Sequence, residues 1–215
     1  DIDITIDRDV SNEHSLYISP FNGAFNGEMF YAGIQTRIDG SPTKENLTEV
    51  VSGMKGGIFS RWSHDQVTPI GVEYVDMFEG GLCASAGTEG EFCSVRRPHE
   101  WTKGTYTVSL VKEETITFKG EPHSWVCMQI TNKNNEETTK IGRLLFRGEK
   151  LLWYYNNKAF VEIYGFEHKP YIPEAKITFS RPRIGDENII MNGLIAHQPV
   201  LEEIEPNANT PNCAY

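Results

Sequence analysis

Strict alternation of polar and apolar residues is the feature that most limits what this chain can fold into. It opens the sequence in Ile2-Asp3-Ile4-Thr5-Ile6, and a period of two places successive side chains on opposite faces of a β-strand. The same period returns in segments rich in β-branched or aromatic residues, at 105–110, 115–118, 125–131 and 176–180. An amphipathic helix would need apolar residues every three or four positions. The alternating segments therefore predict strands with one face in water.

Denser apolar runs predict central strands that are buried on both faces. They occur at 30–38, 57–62, 151–155 and 160–164, and a further strand is predicted at 72–78. Turn-forming pairs such as Asn22-Gly23, Asn26-Gly27 and Asp39-Gly40 separate the segments. Short strands joined by turns, with little helical periodicity, are typical of a sandwich or barrel. We favour an all-β, antiparallel two-sheet sandwich.

The domain organisation is predicted to be simple. A chain of 215 residues is long enough for one large sandwich, which we place at residues 1–200. Residues 201–215 carry charge and proline but no strand period, so they predict an extended C-terminal tail.

Four cysteines and no Cys-x-x-Cys pair favour disulfides over a zinc or redox site. Three connectivities are open. We prefer Cys83–Cys93, which brackets a short glycine-containing stretch, and this leaves Cys127 to join Cys213 in the tail. Disulfides, a chain that opens at Asp1 without an initiator Met or signal peptide, and an acceptor sequon for glycosylation at Asn46 predict a secreted, extracellular protein.

The charge pattern limits the partners. The net charge of −10 is spread along the chain without a Lys/Arg block, so nucleic acid and anionic membrane surfaces are poor partners, and no nucleic-acid binding is predicted. No apolar run approaches the roughly 20 residues needed to cross a bilayer, so no membrane insertion is predicted. Sheet edges make a homo-oligomer a further expectation.

The search for an enzyme is mostly negative. The chain has no serine-hydrolase elbow, phosphate-binding loop, zinc-protease motif or dinucleotide-binding glycine motif. We assign no catalytic residue, although a glycan hydrolase or lyase with a dispersed site stays open. Glu73 and Asp76 are an odd number apart, so on a strand they would point to opposite faces.

No metal or cofactor is predicted. Asp1, Asp3, Asp7 and Asp9 resemble a calcium loop at first, but the sixth and twelfth positions hold Ile6 and Asn12 instead of Gly and Glu. These acids are more typical of the outer face of an edge strand. The six histidines show no spacing typical of metal ligands.

One short segment combines the side chains that bind sugars. Trp62 offers a ring for stacking, and Arg61, His64 and Asp65 could hydrogen-bond to hydroxyls of a saccharide. The alternative is that Trp62 is a core residue and Arg61 is solvated. We add Gln35 and Tyr154 as ligand-binding candidates on the sheet surface. Carbohydrate recognition without catalysis is the leading hypothesis, and a carrier of an apolar small molecule or pigment is the other alternative.

Four short motifs support this interpretation in order along the chain. They are Gly33-Ile34-Gln35, Phe59-Ser60-Arg61-Trp62, the glycine-containing stretch from Cys83 to Cys93, and Trp101-Thr102-Lys103-Gly104-Thr105-Tyr106. Over about residues 28–165 the chain resembles a family of secreted domains of unknown function. The resemblance implies a concanavalin-like jelly roll and an extracellular, glycan-related role, and the family has no established catalytic residues that could be carried over to this chain. The family usually has an acidic residue directly after the second motif, where this chain has Ser63.

Overall fold

Two six-stranded antiparallel sheets form the protein. The computed structural model describes residues 1–87, 90–153, 157–164 and 173–188. The strands of the first sheet, in spatial order, are β12 (Ile177–Phe179), β1 (Ile2–Ile6), β8 (Gly104–Phe118), β9 (Glu121–Asn132), β10 (Thr138–Arg147) and β5 (Val75–Met77). Those of the second sheet are β11 (Lys158–Ile163), β2 (Leu16–Phe25), β3 (Glu28–Gly40), β4 (Val51–Trp62), β7 (Gly90–Pro98) and β6 (Leu82–Gly87). The predicted antiparallel two-sheet sandwich is confirmed.

The remaining regular structure is small. A 3₁₀ turn spans Val72–Tyr74, and a hairpin pairs β13 (Arg183–Ile184) with β14 (Glu187–Asn188). Within the described part of the chain, no helix has the length and apolar composition needed to cross a membrane.

Alternation in the sequence produces the core. Ile2, Ile4 and Ile6 of β1 are at most 2% exposed, whereas Asp3 and Thr5 between them face outward. The centre of the sandwich is aromatic. Phe25 stacks on Phe30 with a centroid separation of 4.5 Å, and edge contacts carry the cluster into the opposite sheet. Burial and close packing of these rings make a major apolar contribution to the free energy of folding.

Several predicted strands differ from the observed ones. The segments 105–110 and 115–118 form one strand, β8, interrupted by a register shift between Lys112 and Thr115. In the segment 151–155, residues 151–153 do not form a central strand, since Leu152 is 65% exposed and Trp153 makes only an isolated bridge to Phe25; residues 154 and 155 lie outside the described residues. The run 160–164 belongs to β11, which lies at an edge of its sheet, and the strand predicted at 72–78 begins as the 3₁₀ turn.

The acidic N-terminal strand is also not at an edge. β1 lies between β8 and β12, with Ile4 opposite both Tyr106 and Phe179. Its outward carboxylate at Asp3 is held by Arg183, with 2.8 Å between Nη2 and Oδ1. These acids therefore anchor a later segment instead of blocking an exposed edge.

The predicted disulfide between Cys83 and Cys93 is wrong. Cys83, Cys93 and Cys127 are buried free thiols. Cys83 lies opposite Val95, and Cys93 lies opposite Ser85, so the two cysteines are diagonal neighbours on adjacent strands. Diagonal side chains are roughly 7 Å apart, whereas a disulfide brings the two Cβ atoms to about 4 Å. Cys127 is likewise unbonded, and its predicted partner Cys213, with the whole predicted tail 201–215, lies outside the described residues.

Candidate functional site

The outward surface of the second sheet carries a continuous row of aromatic rings. Phe59 of β4 packs in the core, so by strand alternation its neighbours Ser60 and Trp62 point outward. Strand pairing places further outward side chains beside them. The aromatic face, as we name it, consists of Tyr17, Tyr31, Trp62, Phe92 and Phe160.

Ring contacts link all five members of the aromatic face. The centroid distances are 5.3 Å for Phe160–Tyr17, 5.4 Å for Tyr17–Tyr31, 4.8 Å for Tyr31–Trp62 and 6.0 Å for Trp62–Phe92. Trp62 is half-buried, and beside it Met29 is 41% exposed and accepts a hydrogen bond from Gln66 Nε2 at 3.2 Å. Trp62 and Phe92 therefore form one end of the row, where Trp62 and Met29 provide an accessible apolar platform.

A polar chain runs beside the rings. Ser60 Oγ and Ser94 Oγ, on adjacent strands, are 2.8 Å apart, and Arg96 Nε donates to Ser94 Oγ at 3.2 Å. Arg96 Nη1 also forms an ion pair with the Asp39 carboxylate and donates to the Asp39 carbonyl at 2.7 Å. Hydroxyls, a guanidinium and a carboxylate thus lie next to aromatic surface.

A cleft opens where this polar chain reaches the edge strand β6. Its volume is about 260 Å³, and its lining includes Asp39, Leu47, Ala84, Phe92 and Arg96. Leu47 belongs to the 41–50 connection between β3 and β4. We call this feature the edge cleft. It is continuous with the aromatic face, because Phe92 belongs to both.

Arg61, a predicted ligand-binding residue, lies on the other side of the sheet from Trp62. Its side chain is 2% exposed, and its Nη2 is 2.8 Å from Oε1 of buried Glu28. The guanidinium also donates to the Leu145 carbonyl and lies 5.0 Å from the Phe146 ring centroid. Arg61 is therefore a structural cation between the sheets and cannot reach a ligand on the aromatic face.

His64 and Asp65 are exposed in the turn after β4, but they are placed differently. Asp65 accepts hydrogen bonds from the backbone N–H groups of Val67 and Thr68 and from the Thr68 hydroxyl, at 2.6–3.1 Å. These bonds hold the pKa of the Asp65 carboxyl well below its usual range. Asp65 therefore closes its own turn, whereas the His64 ring lies against Gly27 near the Trp62 platform.

Gln35 lies opposite Tyr17 and two residues beyond Gly33, on the side of the sheet that carries the aromatic face. Gln35 is 7% exposed, and its backbone carbonyl accepts a hydrogen bond from Trp101 Nε1 at 3.1 Å. Tyr154 lies outside the described residues. Of the six predicted ligand residues, the structure thus places Trp62 and Gln35 on one face, with His64 nearby.

Several site residues escaped the sequence analysis. Tyr31 and Asp39 of β3 and Phe92 and Arg96 of β7 are brought together only by sheet pairing, because both strands pair with β4. The spacing of Phe92 and Arg96, four residues apart on one strand, did place them on a common face. It did not indicate which face or which neighbours.

The Tyr17 hydroxyl is the one polar group of the aromatic face that is buried without a hydrogen-bond partner in the described structure. Burial raises the pKa of Tyr17 well above its ordinary value, so the hydroxyl stays protonated. An unsatisfied buried hydroxyl costs about 1–3 kcal/mol.

Replacing Tyr17 by Phe is therefore expected to raise the free energy of unfolding by about 1 kcal/mol, because the ring is kept and the unpaired oxygen is removed. Tyr164→Phe is the control: that hydroxyl accepts from the Arg37 backbone N–H at 3.1 Å and donates to the Arg37 carbonyl. The control should lose about 1 kcal/mol in urea unfolding. A loss of similar size in both variants would contradict the assignment.

Several acidic side chains of the first sheet are engaged by one arginine. Arg143 engages Asp76, Glu113 and Glu114, with N···O distances of 2.5–3.0 Å, on the outer surface of the first sheet. No group of three or more His, Cys, Asp or Glu side chains is arranged to hold a metal ion within residues 1–87, 90–153, 157–164 and 173–188.

The predicted glycosylation site is exposed. Asn46 Oδ1 accepts a hydrogen bond from the Thr48 hydroxyl at 2.7 Å, which orders the sequon within the 41–50 connection. Its modification stays a prediction.

No model of a known protein family matches this chain, and no curated protein is similar to it in sequence. The resemblance described from the four motifs therefore stays a prediction.

Proposed function

We propose that this protein recognises carbohydrate, without catalysis, through the Trp62 end of the aromatic face. The observation that carries the proposal is the position of Trp62, half-buried on an outward sheet surface between Tyr31 and Phe92. A flat aromatic surface contacts the apolar C–H face of a sugar ring, and neighbouring planar polar groups bind its hydroxyls. Gln66 and His64 lie at this end of the face.

The aromatic residues between the sheets support this choice over a carrier of an apolar molecule. Phe25, Phe30, Phe59 and Phe146 contact one another at centroid distances of 4.5–6.1 Å and pack the interior. The aromatic side chains on the outer surface lie beside the hydrogen-bonded polar groups of Ser60, Ser94 and Arg96. A ligand with both C–H and O–H groups matches that surface better than a purely apolar ligand.

We also propose an extracellular location, without the support that disulfides would have given. Buried free thiols no longer argue for an oxidising compartment. Burial raises the pKa of Cys93 to about 12 and that of Cys127 to about 11, so both thiols stay protonated and unreactive. The location now rests on the exposed Asn46 sequon and on the motif resemblance.

A glycan array on the purified protein, run with calcium and again with a chelator, tests the function. We expect reversible binding that is insensitive to the chelator, with ligands whose masses are unchanged after incubation. Shortened glycans would support a hydrolase or lyase instead, and silence on the array would overturn the proposal.

Trp62→Ala is expected to weaken glycan binding at least about tenfold, because a central aromatic contact is removed from the platform. Trp125→Ala is the matched control, since Trp125 is also half-buried but belongs to the first sheet, where it lies under Arg143. The measurement is titration calorimetry with the best glycan from the array. Equal weakening by both substitutions would remove Trp62 from the site.

A further inference from the structure

The edge cleft has chemically different walls. Leu47 and the small exposed part of Phe92 supply apolar surface; Phe92 is 8% exposed, whereas Val50, which also lines the cleft, is 58% exposed. Across from them is the Asp39–Arg96 ion pair, in which the Arg96 side chain is 11% exposed and the Asp39 side chain is 59% exposed. The guanidinium is thus fixed in the wall, and the carboxylate faces solvent.

The hydrogen-bonding capacity of this ion pair is only partly used. Arg96 Nε is bound to Ser94 and Nη1 to Asp39, while Nη2 has no hydrogen-bond partner in the described part of the chain. The same holds for the second carboxylate oxygen of Asp39. One donor group and one acceptor therefore lie side by side at the cleft.

These two groups select the class of ligand. Two adjacent sugar hydroxyls, each able to donate and accept, can bind the guanidinium and the carboxylate together. An anionic group would have to approach the exposed Asp39 carboxylate, and the pair carries no net positive charge to offset that repulsion.

The cleft also continues the Trp62 platform. Phe92 contacts Trp62 and lines the cleft, and Arg96 follows four residues later on the same strand. At about 3.4 Å per residue, this separation is roughly 14 Å. A ligand that reaches both Trp62 and Arg96 must therefore contain more than one sugar ring and pass over Ser94, which is buried. The 260 Å³ volume is slightly below the range of about 300–1,000 Å³ for drug-sized ligands, which suits a single ring.

We infer that the edge cleft is a second subsite, which binds one neutral sugar ring through adjacent hydroxyls on Asp39 and Arg96 while Phe92 contacts its apolar face. This inference rests on the proposed carbohydrate function. It makes the preferred ligand a neutral oligosaccharide that extends from Trp62 along β7 to the cleft.

Nuclear magnetic resonance titrations test the subsite with defined probes: methyl glucopyranoside, methyl mannopyranoside, methyl galactopyranoside and glucuronic acid. At least one neutral glycoside should shift the backbone amides of Ala84 and Arg96 in wild-type protein and in Trp62→Ala. Asp39→Asn is expected to weaken that binding about tenfold. Arg96→Lys should weaken it as well, because an ammonium keeps the charge but loses the fork of donors. Glu49→Gln, in the same 41–50 connection but outside the lining, is the matched control.

The outcomes separate the two proposals. If sugars shift only the amides around Trp62, or if glucuronic acid alone shifts those of the cleft, the subsite as described is overturned while carbohydrate recognition at Trp62 survives. If no saccharide shifts either group of amides and the array is silent, both proposals fail. Thermal unfolding midpoints of Asp39→Asn and Arg96→Lys near that of the wild type would show that any lost binding reflects the site and not the fold.

Discussion

Glu28→Gln is expected to lower the free energy of unfolding by about 3–5 kcal/mol, because it leaves the buried Arg61 guanidinium without its counter-charge. Glu28 and Arg61 side chains are only 7% and 2% exposed, and 2.8 Å separates Oε1 from Nη2. A lone charge in such surroundings is far more costly than a paired one.

The same pair also joins the two sheets. Glu28 Oε2 accepts a hydrogen bond from the Arg147 backbone N–H at 2.8 Å, and Arg61 donates to the Leu145 carbonyl. Glu28 and Arg61 belong to the second sheet, whereas Leu145 and Arg147 belong to β10 of the first. Removing the carboxylate charge therefore weakens contacts within and between the sheets.

Equilibrium unfolding in urea measures the loss. The double variant Glu28→Leu with Arg61→Met should recover part of it, since no buried charge is left unpaired. The recovery should be incomplete, because the Arg147 N–H and the Leu145 carbonyl lose their side-chain partners. Glu73→Gln is the exposed control: its carboxylate pairs with Lys119 at 3.2 Å, and both side chains are about half exposed. That control should change stability by less than about 1 kcal/mol. Equal losses in Glu28→Gln and Glu73→Gln would refute the role of burial.

Gly33→Ala is expected to lower the free energy of unfolding by about 3 kcal/mol, because backbone atoms occupy the space that the new methyl group needs. A Cβ at this position would lie 2.1 Å from the Ile18 carbonyl oxygen and 2.8 Å from Ser19 Cα. The neighbouring strand β2 shifts register between Ile18 and Phe21, so its backbone crosses close to Gly33. Relieving this clash would require movement of a whole strand and not only of a side chain.

Gly71→Ala is the matched control for this prediction. Gly71 has an extended backbone with φ −111°, and the nearest atoms to an added Cβ belong to the Glu73 carboxylate. That side chain can rotate away, so the control should cost less than about 1 kcal/mol. Urea unfolding of the two variants measures the difference in stability. A Gly33→Ala protein as stable as Gly71→Ala would contradict the prediction, because it would show that β2 and β3 move apart at little cost.

The strand content was largely predictable because alternation is a local property. The segment 2–6 predicted a strand with its isoleucines inward, and the structure has β1 with those side chains buried. The errors fell on the short apolar runs at 151–155 and 160–164. A run of apolar residues indicates that a segment is buried. The position of that segment in the sheet depends on partner strands that are far away in sequence.

The candidate site was only partly predictable for the same reason. Arg61 and Trp62 are adjacent in sequence, and strand geometry sends adjacent side chains to opposite faces. Trp62 therefore joins Tyr31 and Phe92 outside, while Arg61 joins Glu28 inside. The disulfide prediction failed because ten residues of separation along the chain say nothing about the diagonal offset between β6 and β7.

The sequence by itself determined that this chain forms short strands with one apolar face, and hence that two sheets must cover each other, because alternating hydrophobicity and turn residues act over a few neighbouring positions. Only the tertiary structure decided which strands are neighbours, which faces meet, and that Asp39, Phe92 and Arg96 line one cleft. Those features depend on register across strands that are more than fifty residues apart, and register is set by the packing of the whole sandwich.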